Sequence, residues 1–306
     1  MSDRKKALVL INKTAGTGKA ATNTFSIVTK LAKAGYEPIV YPIIPGTKFS
    51  SDMLLAEYDG DIDMVLCSGG DGTLNHVIAA MMDMKKKPLL SYVPNGSTND
   101  FARGIGIPAD KTQAMDIAVK GHPFSYDLGK MNDKYFNYVA AFGAFSKVSY
   151  ATDQELKNVL GYAAYVISAI AELPQNIGYS THVKVEADGI SEEGDYLFGA
   201  VSNSVSVGGM NLFGEIDIKQ NDGVMELLLI RSPKSLAEFN AVLSALATKE
   251  VGNPYITFKQ VRWAKFESDT ELEWTIDGEF GGAYKKTDIE VLNKAITIMV
   301  GKDETT

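Results

Sequence analysis

One stretch, from Met64 to Ala80, limits what this chain can fold into. A short apolar run leads into a glycine-rich turn, and a segment with helical periodicity follows, so the stretch predicts a strand, a turn and a helix. Three glycines within four residues let the turn take positive φ angles and let an anion approach the backbone. The helix start adds unpaired N–H groups and the positive end of its dipole, which makes phosphate the expected ligand. A plain tight connection is the alternative interpretation.

The same turn carries two polar side chains suited to phosphate chemistry. The carboxylate of Asp71 would repel a bound phosphate unless a divalent cation bridged the two groups, so a magnesium ion is expected between them. Thr73 is expected either to cap the helix or to bind a phosphate oxygen.

Composition narrows the class of protein. The chain has 306 residues, 45% of them hydrophobic, which is enough for a substantial core and for two domains. A net charge of −8 without long basic runs argues against nucleic acid as a partner. The single cysteine, Cys67, excludes an internal disulfide and fits a reducing compartment. No apolar stretch is long enough to span a membrane, so a lipid substrate would be reached from the membrane surface.

Strands and helices alternate through the first part of the chain. A wholly apolar run from Lys6 to Ile11 predicts a buried parallel strand, and a polar turn beginning at Asn12 leads into a helix from Ala20 to Ala34. Further strands are predicted at Glu37–Tyr41, Met64–Leu66 and Pro88–Val93, and further helices at Ser50–Tyr58, Leu74–Met82 and Thr112–Val119. The pattern indicates an α/β domain with a Rossmann-like, doubly wound parallel sheet.

A third polar turn follows the strand that ends at Val93, and it runs from Asn95 to Arg103. Turns that leave the carboxyl ends of successive parallel strands gather in one crevice, so the three turns predict a single site. For Asn99, capping of the following helix is the alternative role.

The alternation of strands and helices ends near Phe124, where two β-like runs joined by an Asn-Asp turn predict a hairpin. An amphipathic helix is predicted from Asp153 to Leu173, and a second helix from Ser235 to Ala247. The remaining short β-like runs predict a β-sandwich, at Thr181–Glu186, Tyr196–Val201, Val224–Ile230, Tyr255–Phe258, Arg262–Glu267, Glu273–Ile276 and Ile289–Val300. We therefore predict domains at about residues 1–126 and 127–291, with the tail 292–306 a candidate to return to the first.

Three motifs together resemble the diacylglycerol kinase catalytic family, and in particular its soluble bacterial members. They are Gly69 to Thr73, Asn95 to Arg103, and Asp277-Gly278-Glu279. The resemblance covers nearly the whole chain. It implies a nucleotide-binding domain, a C-terminal β-sandwich, and an interdomain cleft where ATP meets a lipid hydroxyl. The implied reaction is direct in-line phosphoryl transfer to diacylglycerol, which gives phosphatidic acid in phospholipid biosynthesis.

The resemblance also implies which residues bind ATP, and all of them lie in the three turns. They are Asn12, Lys13, Thr14, Ala15 and Gly16 in the first turn, Ser68, Gly69, Gly70, Asp71, Gly72 and Thr73 in the second, and Asn95, Gly96, Ser97 and Asn99 in the third. The family's first turn usually reads Asn-Pro-x-Ser-Gly, whereas here Lys13 replaces the proline and Ala15 the serine. A frequent threonine after the second strand is replaced by Ile43.

Catalysis needs a base that takes the proton of the attacking alcohol, and a carboxylate can do this. Asp277 and Glu279 flank Gly278 directly after a predicted strand, and in the family this motif supplies the base. Spacing does not separate the two, so Asp277 is our first candidate and Glu279 its rival, with Asp71 as the third catalytic carboxylate. An Asp-Gly hairpin turn with a solvated glutamate is the structural alternative.

A structural magnesium is implied at residues 219 to 224. In the family such a motif binds the ion through the carboxylate of Asp222 and the main-chain carbonyls of Lys219 and Val224. An Asn-Asp-Gly hairpin turn explains the same residues without a metal. Asp100 and Asp127 are further carboxylates expected to extend a network of carboxylates and water.

The leading interpretation is an ATP- and Mg²⁺-dependent diacylglycerol kinase that works in the cytoplasm, peripherally at the inner face of the membrane. Phosphatidylglycerol, a sphingoid base or another hydroxyl-bearing lipid could fill the same role. A soluble kinase resembling NAD kinase shares the Gly-Gly-Asp-Gly-Thr turn, although the segment from Asn95 to Arg103 argues against it. A non-catalytic nucleotide-binding regulator is conceivable because the first turn is altered, and a homodimer is left open.

Overall fold

The structure is a computed structural model, and it describes residues 4–12, 20–96, 99–143, 180–203, 219–248 and 253–301. The chain divides into two compact units. Unit 1 contains Met1–Tyr126 and Lys294–Thr306, and unit 2 contains Asp127–Asn293.

Unit 1 alternates strands and helices along the chain. Its elements are β1 (Lys5–Ile11), α1 (Ala20–Lys33), β2 (Tyr36–Pro42), α2 (Ser51–Glu57), β3 (Met64–Gly69), α3 (Asp71–Met82), β4 (Leu89–Pro94), α4 (Asp100–Gly104) and α5 (Lys111–Lys120). The strands pair in parallel in the order β4-β3-β1-β2. The predicted α/β alternation is confirmed, and α3 begins at Asp71 rather than at Leu74, directly after the glycine-rich turn.

The core of unit 1 explains why its strands are apolar throughout. Ala7 to Leu10 in β1 and Met64 to Cys67 in β3 have no exposed surface, as expected for central parallel strands covered on both faces. Burial also raises the pKa of the Cys67 thiol, which fits its predicted role as a small packed side chain. This rigid sheet holds the turns at its carboxyl edge in place.

Unit 2 is mainly antiparallel. Its elements are β5 (His122–Met131, which begins in unit 1), β6 (Lys134–Phe136), β7 (Val139–Gly143), β8 (Thr181–Ala187), β9 (Ile190–Ser202), β10 (Met225–Arg231), α6 (Leu236–Thr248), β11 (Ile256–Val261), β12 (Trp263–Ile276) and β13 (Glu279–Val300). The strands follow the order β11-β10-β9-β7-β12-β13, and β8 pairs with both β9 and β12. The final residues of β13 belong to unit 1, where Ile298 pairs in parallel with Leu90 of β4.

Most predicted elements of unit 2 are confirmed. Strand β7 was not predicted, β9 begins at Ile190 rather than at Tyr196, and β13 begins at Glu279 rather than at Ile289. The hairpin of β5 and β6 turns at Asn132, which has the left-handed conformation expected of such a turn (φ 53°). The two strands predicted between Arg262 and Ile276 are one strand, β12, because it pairs with β13 on both sides of a register shift. The helix predicted from Asp153 to Leu173 lies outside the described residues.

An aromatic cluster forms the centre of unit 2. The rings of Phe142, Phe266 and Trp274 meet edge to face, with centroids 5.0 to 5.6 Å apart, and none of the three is exposed. Trp274 lies on β12 shortly before Asp277, so this core anchors the strand end that carries the Asp-Gly-Glu motif.

Candidate active site

Three turns meet at the carboxyl edge of the sheet in unit 1. The Asn12 N–H, after β1, donates to the Ser68 carbonyl at 2.9 Å, and the Asn12 side-chain amide donates to the Thr73 hydroxyl at 2.7 Å. The first turn is therefore bonded directly to the second. Thr73 accepts this bond on the first turn of α3, while the residue at the helix N-cap is Gly70.

Asn95 joins the third turn to the second. Its main-chain N–H donates to the Gly69 carbonyl at 2.7 Å, and its side-chain amide donates to the Ser68 hydroxyl at 2.6 Å. Asn95 is only 4% exposed, so these bonds are made away from water and are costly to lose. Asn95, which the resemblance predicts as an ATP-binding residue, thus holds the second and third turns together.

The glycines of the second and third turns are needed because the two backbones touch. A Cβ atom on Gly96 would lie 2.8 Å from the Gly70 Cα, and one on Gly70 would lie 3.2 Å from the Gly96 Cα. A Cβ on Gly69 would meet the Thr73 Cβ at 2.7 Å. Side chains at these positions would push the turns apart and cover the backbone that an anion must approach.

Asn99 has a different role from the helix cap that was its alternative interpretation. It stands at the N-cap position of α4 in the left-handed conformation (φ 49°), and its side chain makes no capping hydrogen bond. Instead its Oδ1 accepts from the Gly96 N–H, and its Nδ2 donates to the Gly96 carbonyl, both at 2.9 Å. Asn99 thus fixes the conformation of the third turn at the glycine that contacts Gly70.

Helix α3 points its N-terminus at this edge. Its N-cap is Gly70, and within the described part of the chain no side chain caps the helix. Asp71 occupies the first turn of the helix and lies close to the buried hydroxyl of Tyr92, which donates to the Gly69 carbonyl at 3.1 Å. Burial raises the pKa of Tyr92, and the negative charge of Asp71 raises it further.

These features fit a nucleotide phosphate with its magnesium. An uncapped helix start and bare glycine backbone suit an anion, and the Asp71 carboxylate is the oxygen donor that Mg²⁺ prefers. Lys13, Thr14, Ala15, Gly16 and Ser97 lie outside the described residues, as does the side chain of Asp100. Ile43 is half-buried, and its N–H donates to the Ile11 carbonyl at 2.8 Å, beside the first turn.

The Asp-Gly-Glu motif of unit 2 forms a two-residue hairpin. Ile276 of β12 pairs with Glu279 of β13, and both Asp277 (φ 48°) and Gly278 (φ 87°) have positive φ. Positive φ at both central residues defines a type I′ turn, the preferred connection for twisted antiparallel strands. The Asp-Gly hairpin that we considered as an alternative is the observed backbone geometry, and it does not exclude a catalytic role for the carboxylates.

The two carboxylates of this turn have contrasting surroundings. Asp277 is 6% exposed, and its Oδ2 accepts from the Asn137 N–H at 2.7 Å. Its Oδ1 accepts from the N–H groups of Tyr138 at 3.0 Å and Val139 at 2.9 Å. Glu279 is exposed to solvent. Asp277 is therefore bonded tightly to the main chain, whereas Glu279 can approach a substrate.

The loop from Lys219 to Val224 is the predicted structural magnesium site. Asp222 is exposed, and its Oδ1 accepts from the Val224 N–H at 3.2 Å, while Gly223 has positive φ (83°). Lys219 is also exposed and Val224 is half-buried. Carboxylate and carbonyl oxygens are the correct donor class for Mg²⁺. In the described part of the chain, no three His, Cys, Asp or Glu side chains form a metal-binding group.

Comparison with known proteins identifies the family. Residues 6–131 match the family described as "Diacylglycerol kinase catalytic domain", and residues 139–300 match "YegS C-terminal NAD kinase beta sandwich-like domain". A "Diacylglycerol kinase" from Staphylococcus aureus (strain MRSA252) is 32% identical over 282 residues, which cover 91% of this chain and 87% of the relative. The chain belongs to the diacylglycerol kinase catalytic family. The counterpart from strain bovine RF122 / ET3-1 gives the same identity and coverage.

Solved structures support the same fold. A crystal structure from Bacillus anthracis str. Sterne has a TM-score of 0.82 at 24% identity, and the alignment covers 99% of both chains. A structure described as a diacylglycerol kinase from the same strain has a TM-score of 0.73 at 21% identity, with the same coverage. The predicted α/β domain followed by a β-sandwich-like domain is confirmed. This protein is thus a lipid kinase of the diacylglycerol kinase family, whose members use ATP.

Within the described residues, no helix is both long enough and apolar enough to cross a membrane.

Several residues that contact the candidate site residues are not predicted from the sequence. Tyr92 lies within an apolar strand of unit 1, and in unit 2 the N–H groups of residues 137–139 are main-chain donors that no side-chain pattern reveals. Asn203, described below, follows a strand with no motif around it. By contrast, Ser68 and Asn95 are predicted site residues at the ends of two buried strands, and their side chains do bond to each other.

Proposed function

We propose that this kinase transfers the γ-phosphoryl group of ATP to the free hydroxyl of diacylglycerol and so forms phosphatidic acid. The observation that carries the proposal is the direct bonding of three turns at one sheet edge, from Asn12 to Thr73 and from Ser68 to Asn95. The name "Diacylglycerol kinase" of the relatives that share 32% of the sequence supports the acceptor.

Unit 1 supplies the nucleotide site in this proposal. The glycines at 69, 70 and 96 give the phosphates access to backbone N–H groups, and the start of α3 contributes its positive dipole end. Asp71 would hold a magnesium ion. When bound, that ion neutralises negative charge on the transferring phosphoryl group. Bonds from Asn12, Asn95 and Asn99 keep the turns in register with one another.

Glu279 is the better candidate for the general base, although the sequence alone places Asp277 first. Both Asp277 oxygens accept main-chain N–H bonds, which stabilise the ionised carboxylate and reduce its ability to take a proton. Glu279 lies directly after the same turn, and its side chain is exposed. In the proposed step, Glu279 takes the hydroxyl proton, the lipid oxygen bonds to the γ-phosphorus, and the bond to the β-phosphate oxygen breaks to release ADP. Asp277 then acts as a positioning residue.

The lipid acceptor places the enzyme at a membrane surface, and we propose peripheral association with the cytoplasmic face. The loop from Lys219 to Val224 is proposed to bind a second, structural magnesium through the Asp222 carboxylate and the two main-chain carbonyls. Its exposed carboxylate and bent backbone are the features that support this site.

The test is a lipid panel. Purified protein is incubated with labelled ATP and Mg²⁺ and with mixed micelles of diacylglycerol, phosphatidylglycerol or sphingosine, and in a separate reaction with NAD. We expect label in phosphatidic acid, loss of that label in Asp71→Asn, and full activity in the control Asp61→Asn, which changes an exposed carboxylate before the amino end of β3. Preferential labelling of another lipid would replace diacylglycerol as the acceptor, and labelling of NAD alone would refute a lipid kinase.

A further inference from the structure

A buried polar chain runs through unit 2 beneath the two loops proposed for metal binding and proton transfer. It begins at Asp127, which has no exposed surface. The Asp127 N–H donates to the Gln220 carbonyl at 2.8 Å, and its Oδ2 accepts from the Gly223 N–H at 2.7 Å. Asp127 therefore bonds to the loop from Lys219 to Val224 at two points, Gln220 and Gly223.

Asn203 continues the chain toward the catalytic turn. Its side-chain amide donates to the Asp127 carbonyl at 2.8 Å, and its main-chain N–H donates to the Tyr138 carbonyl at 2.9 Å. The Tyr138 N–H in turn donates to Asp277 at 3.0 Å. Four hydrogen-bonded links, through Asp127, Asn203 and Tyr138, thus connect the loop at 219–224 with the turn that carries Glu279.

We propose that Asn203 is a positioning residue that couples the loop at Lys219–Val224 to the Asp277–Glu279 turn. The inference rests on the proposed function, in which Glu279 is the base. Asn203 is fully buried, so a lost donor leaves the Asp127 carbonyl without that bond in a site where water does not compete. The segment at residues 137–139 would then hold Asp277 less tightly, and small displacements of a catalytic group reduce turnover strongly.

Ser202, the last residue of β9, offers a matched control. It is also fully buried, it directly precedes Asn203, and its hydroxyl makes no hydrogen bond within the described part of the chain. Ser202→Ala therefore changes a buried polar side chain at this strand end without breaking a link of the proposed chain.

The experiment combines hydrogen exchange with steady-state kinetics of the full-length protein. In Asn203→Ala we expect the amides of Asn137, Tyr138 and Val139 to exchange about tenfold faster, while those of β8 keep their protection. The kcat for diacylglycerol is expected to fall about tenfold, with KM for ATP unchanged within about twofold. Asn203→Leu, which has a similar size but no donor and no charge, should behave in the same way. Ser202→Ala should change neither measurement.

Three outcomes would overturn the proposal. Unchanged exchange at residues 137–139 in folded Asn203 variants would show that the coupling does not exist. A rise in KM for ATP with constant kcat would place the effect elsewhere. Failure of both Asn203 variants to fold, with Ser202→Ala folded, would show a purely structural role. If the wild-type protein phosphorylates no lipid, the proposed function fails, and the exchange measurement still decides whether Asn203 links the two loops.

Discussion

The most informative perturbation separates the carboxylates of Asp277 and Glu279 in the turn that we propose to supply the base. Asp277→Asn and Glu279→Gln each keep the side-chain shape and remove one negative charge. Asn-Gly is itself a favoured type I′ turn, so Asp277→Asn leaves the hairpin conformation acceptable. Any loss of stability then reports the bonds that the carboxylate makes, not strain in the turn.

The size of that loss follows from the three N–H groups around Asp277. An amide retains one acceptor oxygen, which can serve Tyr138 and Val139 together, and its NH2 group then faces the Asn137 N–H. One buried donor is left unsatisfied, which costs about 1–3 kcal/mol, and the remaining bonds lose their charge assistance. We expect a total of about 2–4 kcal/mol, or a fall in melting temperature of roughly 5–15 °C for a unit of this size.

Both tryptophans of the chain, Trp263 and Trp274, lie in unit 2, so selectively excited tryptophan fluorescence reports on the unfolding of this unit. Glu279→Gln changes an exposed side chain and should leave the melting temperature within about 2 °C. Its kcat should fall by about 10² to 10⁴, the usual contribution of a general base. Glu271→Gln, on an exposed position of β12, is the control for both measurements.

The reasoning fails if the two variants exchange their effects. Asp277→Asn with normal melting and no turnover, together with an active Glu279→Gln, would make Asp277 the base. Normal turnover in both variants would leave the motif as a solvated hairpin with no catalytic role.

Three further predictions concern other parts of the molecule. Gly96→Ala should weaken ATP binding about tenfold, since its Cβ would lie 2.8 Å from the Gly70 Cα; isothermal calorimetry with ATP measures the dissociation constant, and an unchanged value would contradict the prediction. Asp222→Ala should abolish any Mg²⁺-dependent rise in melting temperature, whereas a wild-type protein that ignores Mg²⁺ would disprove the structural site. Asp195 and Glu193 raise the pKa of His182, so its charged form stabilises the β8–β9 hairpin below about pH 6.5 and the effect is lost as pH rises through the raised pKa. An NMR titration in which Asp195→Asn does not lower that pKa would refute the pairing.

Unit 1 could be predicted from the sequence because its signals are local. Continuous apolar runs and the residues that follow them determine each strand and turn, and the parallel arrangement brings the turns together without further information. Asn12, Ser68 and Asn95 were expected in one site, and their side chains do link the three turns. The start of α3 was misplaced by one turn because Asp71, Gly72 and Thr73 have weak helix propensity, which the helix N-terminus tolerates.

Unit 2 was predicted as a set of strands but not as an arrangement of carboxylates. The spacing of the motif does not distinguish Asp277 from Glu279 as the base. Their surroundings differ because Asp277 accepts bonds from N–H donors that lie 138 to 140 residues away in the chain. Every residue except proline has a main-chain N–H group, so a sequence motif cannot show where such donors gather. The same holds for Asn203, whose partners are far away in the chain: Asp127 lies on β5, and Tyr138 lies just before β7.

The surroundings of Asp277 explain why an aspartate bonded to the main chain stands in the same turn as the proposed base. A non-glycine residue in the left-handed region is costly in backbone energy, and Asp and Asn are among the few that adopt it readily. At this position the side chain also gathers the N–H groups of residues 137–139, so one residue both turns the hairpin and ties it to β7. The backbone of Glu279, directly after the turn, is paired with Ile276, whereas the Glu279 side chain is exposed. If Glu279 is the base, a fixed main chain beneath its exposed carboxylate keeps that carboxylate in place for the acceptor hydroxyl, and damage to Asp277 is then expected to lower turnover through Glu279.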